Sequence, residues 1–169
     1  CMAGTAFAKY HFIGKKFFLV MMGIFMILPV QVTLLPNYLL LEKLGFLNSW
    51  KALIIPAIFL PFGVIWLTFI IQSLPNEWIE AARLDRANQI QIVRYIIVPE
   101  IKPAVVTLFV LTFVESWNMV EQPLILLTNA DKHPLSVFLS KINAGEIGLA
   151  FAVATIYMVP SLLIFLYGE

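Results

Sequence analysis

The sequence predicts an all-α membrane protein, a polytopic helical bundle of about four transmembrane helices with a polar helix–turn–helix loop between the second and third. Three observations predict it. The 169-residue chain is 61% hydrophobic and only 12% charged, whereas a soluble domain carries about 25% charged residues. Too few polar side chains remain to cover a surface facing water. The apolar residues gather into runs of about 20, the length that crosses a bilayer, and the stretch Gln72–Lys102 between two such runs is the most polar of the chain.

The first run extends from about Phe17 to Leu35, with the polar residues Gln31 and Thr33 near its far end. Pro36 then opens a short amphipathic stretch, Asn37–Leu44, closed by Gly45. The second run, about Trp50–Ile71, contains Pro56 and Pro61-Phe62-Gly63, and kinks there are tolerated where neighbours satisfy the freed carbonyls. The third is about Pro103–Val120 and the fourth about Ile147–Tyr167. The small, apolar Ala3–Ala8 reads as the tail of an earlier span. No internal repeat divides residues 1–169, so a single membrane domain is the simplest partition. The run after Lys9, Lys15 and Lys16 is too long for a signal peptide, and no small-residue cleavage site follows it.

Charge sets the orientation and excludes several classes of function. Lys9, Lys15, Lys16, Arg83, Arg86, Arg94 and Lys102 fall on one side of the expected spans, and Lys43, Lys51, Lys132 and Lys141 on the other. That bias places Gln72–Lys102 in the cytoplasm. A net charge of +1 argues against a strongly basic nucleic-acid surface. The single cysteine, Cys1, allows neither an intrachain disulfide nor a Cys-based metal cluster. No histidine lies within a span, and neither His-Glu-x-x-His nor Gly-x-Ser-x-Gly occurs, which argues against an intramembrane enzyme. No metal site is expected.

Within the polar stretch, Pro75 suits the first turn of a helix, where its missing N–H is not needed. Asn76 and Glu77 suit the positive end of that helix. Trp78, Ala81, Ala82 and Asp85 recur at helical spacing, and Glu80 and Arg83 form an i, i+3 pair. A second helical run places Ile90, Val93 and Ile97 on one face, with Gln89, Gln91 and Arg94 away from it; Pro99 and Pro103 end it. The small Ala81-Ala82 pair would let a partner approach the backbone closely, with charges at the rim.

The triplet Glu80-Ala81-Ala82, with Asp85, Ala87, Ile96 and Pro99 at matching spacings and Val98 in a leucine place, resembles the EAA motif of ABC importer permeases. Arg86 departs from it, standing where that family has glycine. If the position requires the left-handed conformation, a side chain there costs roughly 1–2 kcal/mol. Ala3–Tyr10, Leu28-Pro29, Gln31–Thr33, Ser116-Trp117-Asn118 and Pro123-Leu124 extend the likeness to carbohydrate-type permeases, the maltose-permease (MalG-like) kind.

The resemblance implies the ABC importer transmembrane-domain fold and makes the chain a fragment lacking the family's first two spans. It implies a coupling loop over residues 72–102, with Glu80, Ala81, Ala82, Asp85, Arg86 and Ala87 at the ATPase. The chain has no Gly-x-x-x-x-Gly-Lys-Ser/Thr and needs no cofactor of its own, so ATP and Mg²⁺ belong to an ATP-binding partner subunit. The other implied partners are a second permease subunit forming a heterodimer, an extracytoplasmic solute-binding protein, membrane lipid and a sugar substrate. The implied location is the bacterial plasma membrane. Because the loop motif is shared across importers, a polyamine, amino acid or oxyanion is the alternative cargo.

Glu115 falls inside the third run, with Trp117, Asn118 and Glu121 close by. Ionisable groups in a span face the bundle interior or a wet cavity. An aromatic ring with amide and carboxylate groups is what a sugar requires, stacking for its apolar face and hydrogen bonds for its hydroxyls. The competing reading makes Trp117 an interface-belt residue and leaves the carboxylates solvated at the end of the span. Asn143-Ala144-Gly145-Glu146 falls in a loop expected to face the binding protein.

Overall fold

The structure is a computed structural model that describes residues 1–142 and 147–167; the expected binding-protein loop at 143–146 lies outside the described residues. Its helices are α1 (Met2–Lys9), α2 (Lys15–Ile27), α3 (Val30–Lys43), α4 (Lys51–Ile58), α5 (Pro61–Gln72), α6 (Asn76–Leu84), α7 (Gln89–Glu100), α8 (Lys102–Trp117), α9 (Glu121–Leu126), α10 (Leu135–Lys141) and α11 (Ile147–Tyr167). Among the described residues, Lys51–Gln72 and Gly148–Leu166 are each long and apolar enough to cross a membrane. Counting α2 with α3 and α7 with α8 as bent spans raises the total to as many as four.

Two expected boundaries move. The first run, 17–35, is not one helix, because α2 ends at Ile27 and α3 begins at Val30. Leu28 precedes a proline and is held extended (φ −66°, ψ 128°), as the ring of Pro29 disfavours helical backbone before it. Pro36, expected to open a separate stretch, lies instead inside α3. The helix continues through it because Tyr38 and Leu41, within the next turn and a half, have a core to pack against.

The chain forms two compact units, residues 1–28 with 60–108 and residues 29–59 with 109–169. In the first, Leu67 and Ile71 of α5, Ile79 of α6, Ile92 and Ile97 of α7, and Ile101 form one buried apolar cluster. Helix α1 lies directly against α5. A Cβ on Gly4 would stand 3.0 Å from the Leu67 Cβ and 3.4 Å from its backbone carbonyl carbon. Buried Thr68 turns its hydroxyl back to the Val64 carbonyl at 2.7 Å, so that hydroxyl is not stranded at this contact.

The second unit has a smaller core of Leu41, Ala52 and Leu126, with Tyr38, Phe46, Leu47 and Leu53 packed against it. Gly45 ends α3 at φ 67°. The Phe46 amide reaches the Leu41 carbonyl at 2.9 Å and the Gly45 amide reaches Glu42 at 3.0 Å, the paired bonds of a Schellman cap. Asn48, also left-handed at φ 57°, ties two loops together. Its N–H donates to the Leu126 carbonyl at 2.9 Å, and its side-chain oxygen accepts from the Asn129 amide at 3.0 Å. Between α8 and α11, the Trp117 indole donates to the Tyr157 carbonyl at 3.2 Å, and the Tyr157 hydroxyl lies 2.8 Å from both the Trp117 carbonyl and the Asn118 side-chain oxygen.

Candidate functional site

The polar loop is a helix–turn–helix whose two ends at the turn are both capped. At the end of α6 the Arg86 amide donates to the Arg83 carbonyl and the Ala87 amide to the Ala82 carbonyl, each at 3.0 Å. These are again the two bonds of a Schellman cap, and they place Arg86 at its left-handed position, φ 58°. At the start of α7, Asn88 and Gln91 exchange side-chain and backbone bonds at 2.7 and 2.8 Å, a capping box of the Asn-x-x-Gln form. That spacing was available in the sequence and is not part of the EAA pattern.

The alanine pair divides its work. Ala82, with Ala87, packs onto the apolar cluster of the first unit, while Ala81 is exposed. Only one of the two small side chains therefore faces outward. Buried Ile79 anchors the inner side of α6. The outer side presents Trp78, Ala81 and Leu84, the last 85% exposed, beside Glu77, Glu80, Asp85 and Arg86. Arg83 does not pair with Glu80; its guanidinium lies 5.6 Å from the ring centre of Tyr10. Lys9, the residue before Tyr10, donates to the Leu74 carbonyl at 2.5 Å and to the Asn76 side-chain oxygen at 2.8 Å.

The second helix corrects the expected face. Ile92 and Ile97 are buried, whereas Ile90 is 65% exposed. Residues Val93–Ile97 form a π turn, with the Val98 amide bonded to the Val93 carbonyl. A π turn inserts one residue per turn, so counting back from Ile97 reaches Ile92 and passes Ile90 by. Pro99 does not end the helix either, since Val98–Glu100 remain helical. In a regular helix the Pro99 ring would strike the Tyr95 carbonyl; the widened turn just before it relieves that clash.

In the second unit, Glu115, Asn118 and Glu121 line one cavity of about 390 Å³ together with Gln31, Gln122 and Met119. Gln31 donates to a Glu121 carboxylate oxygen at 2.9 Å. Three of the four residues expected on a substrate path thus come together. Trp117 is not among the lining residues; its ring is stacked at 5.4 Å with both Phe113 and Tyr157. Gln31, noted in the sequence as a polar residue near the end of the first run, and Gln122 also line the cavity, and neither is among the residues expected on the path.

Helices able to cross a bilayer, broken spans and a doubly capped polar elbow define a polytopic helical membrane protein. The chain belongs to the family of binding-protein-dependent transport system inner membrane components, which it matches over residues 1–168. It is 32% identical over 173 residues to the arabinooligosaccharides transport system permease protein AraQ of Halalkalibacterium halodurans, covering 99% of this chain and 61% of that one. It is 30% identical over 130 residues to the sn-glycerol-3-phosphate transport system permease protein UgpE of Salmonella typhi, covering 77% of this chain and 46% of that one. The fold is similar to a chain in the crystal structure of a bacterial ABC transporter involved in import of the acidic polysaccharide alginate. There the TM-score is 0.79 at 24% identity, covering 96% of this chain and 63% of that one. The chain spans about three fifths of the length of the AraQ permease proteins of Halalkalibacterium halodurans and Bacillus subtilis that it matches.

Proposed function

We propose that the chain is the permease part of an ATP-driven importer for a sugar or oligosaccharide, and that Gln72–Lys102 transmits closure of a partner ATPase to the spans. The observation that carries this reading is the outer side of α6. Trp78, Ala81 and Leu84 are exposed on a polar loop outside the apolar runs, ringed by Glu77, Glu80, Asp85 and Arg86. Apolar side chains surrounded by charge in this way suit a partner protein. The partner ATPase binds ATP and Mg²⁺, a second permease subunit completes the path as a heterodimer, and an extracytoplasmic binding protein delivers the cargo.

The cavity favours a neutral sugar over an anion. Among the described residues its lining includes Glu115 and Glu121 with the amides of Gln31, Asn118 and Gln122, and no lysine or arginine. Carboxylates and amides match hydroxyl groups and repel a phosphate or carboxylate cargo. The similarity to a glycerol-phosphate permease supports the alternative of a phosphorylated cargo. Retention of solutes by the cognate binding protein separates the two. Binding of sugars supports the first reading; binding of an oxyanion with no sugar overturns it.

A further inference from the structure

We infer that Lys9 and Tyr10 form a latch that fastens the docking helix α6 to α1, so that movement of α6 is delivered to α1 and α5 as well as along the chain. The inference rests on the docking role proposed above. Lys9 ends α1 and reaches the start of α6, where its ammonium meets the Leu74 carbonyl and the Asn76 side-chain oxygen at 2.5 and 2.8 Å. A cation is out of place beside the positive end of a helix, so the helix dipole does not account for its position. The two acceptors do, and the Glu77 carboxylate assists them, partly opposing the burial that lowers the Lys9 pKa below the ordinary lysine value.

Two turns further along α6, Arg83 lies over the Tyr10 ring at 5.6 Å. The end of α1 thus holds α6 at its first residue and near its last. Lys9, Asn76, Ile79, Glu80 and Arg83 together enclose a recess of about 140 Å³. On the other side, α1 is seated on α5 with Gly4 against Leu67. Lys9 and Tyr10 lie outside the EAA triplet and more than 60 residues before it, so no local pattern connects them to the loop. Both are positioning residues, since neither needs to touch the ATPase or the cargo.

The test uses the full-length permease in the assembled transporter, reconstituted in vesicles with its ATPase and binding protein. Lys9→Met keeps the apolar stem and removes the donor, and Asn76→Leu removes one acceptor. Each should leave the ATPase bound and hydrolysing while transport per ATP falls about tenfold, the scale of one lost charge-assisted hydrogen bond. The double variant should be no worse than the poorer single, because both remove the same contact. Unchanged transport per ATP in both singles, additive losses in the double, or loss of ATPase binding in both would overturn the latch. Glu80→Lys in parallel keeps the two ideas apart: if it leaves ATPase association and coupling intact, the docking role fails independently of the latch.

Discussion

The Ala87 amide donates to the Ala82 carbonyl at 3.0 Å, and this single bond joins the last alanine of the Glu-Ala-Ala triplet to the residue just past the turn. Between them Arg86 is held at φ 58°. The same cap at the end of α3 has Gly45 at φ 67°. The arginine therefore occupies the geometry that glycine would take, and the turn has not shifted to accommodate it.

Arg86→Gly should stabilise the elbow by about 1 kcal/mol, since glycine takes the left-handed conformation without the Cβ penalty. Slower hydrogen exchange at the Ala87 amide would report it. Arg86→Val should act in the opposite direction and more strongly, because a β-branched residue is poorest at positive φ.

Leu84→Asp should weaken association with the ATPase about tenfold or more, as an exposed apolar anchor is replaced by a charge at a proposed interface. Co-purification from membranes reads this directly. Glu80→Lys should abolish transport-coupled ATPase activity while membrane insertion stays normal.

Gln31→Leu and Glu115→Ala should each change cargo-stimulated ATPase activity without changing its basal rate, because both residues line the polar cavity. Phe113→Leu, which alters the Trp117 stack instead of the cavity, should lower thermal stability and leave cargo preference as it is.

Tyr157→Phe should cost about 1 kcal/mol, the net worth of an ordinary hydrogen bond, because its hydroxyl meets the Trp117 carbonyl and the Asn118 side chain. Gly4→Val should cost about 1–3 kcal/mol through overpacking against Leu67. Thermal unfolding of the purified protein measures both.

Much of the architecture is legible before any fold is known. Helix α11 coincides with the expected run at Ile147–Tyr167, because run length is a property of the chain and of bilayer thickness. Helix α6 begins close to the expected place, but Pro75 stands just before its first residue with extended backbone (φ −56°, ψ 135°), not in its first turn. The break at Leu28-Pro29 was also written in the residues, but the apolar count across it concealed it.

The sequence by itself determined a membrane-spanning helical chain, a polar elbow between two apolar runs, and the one odd residue within it, Arg86. Those features depend on composition, period and near neighbours. Tertiary structure alone decided which of Ala81 and Ala82 faces outward, why Ile92 and not Ile90 is buried, and that Trp117 packs on Tyr157 while Gln31 meets Glu121. The reason is physical. A helix face is chosen by what it packs against and by any change in turn width, and bonds such as Gln31 to Glu121, 90 residues apart, form only when distant segments meet. Arg86 shows both levels at once: its oddness is visible in one line of sequence, and its left-handed backbone is imposed by the cap around it.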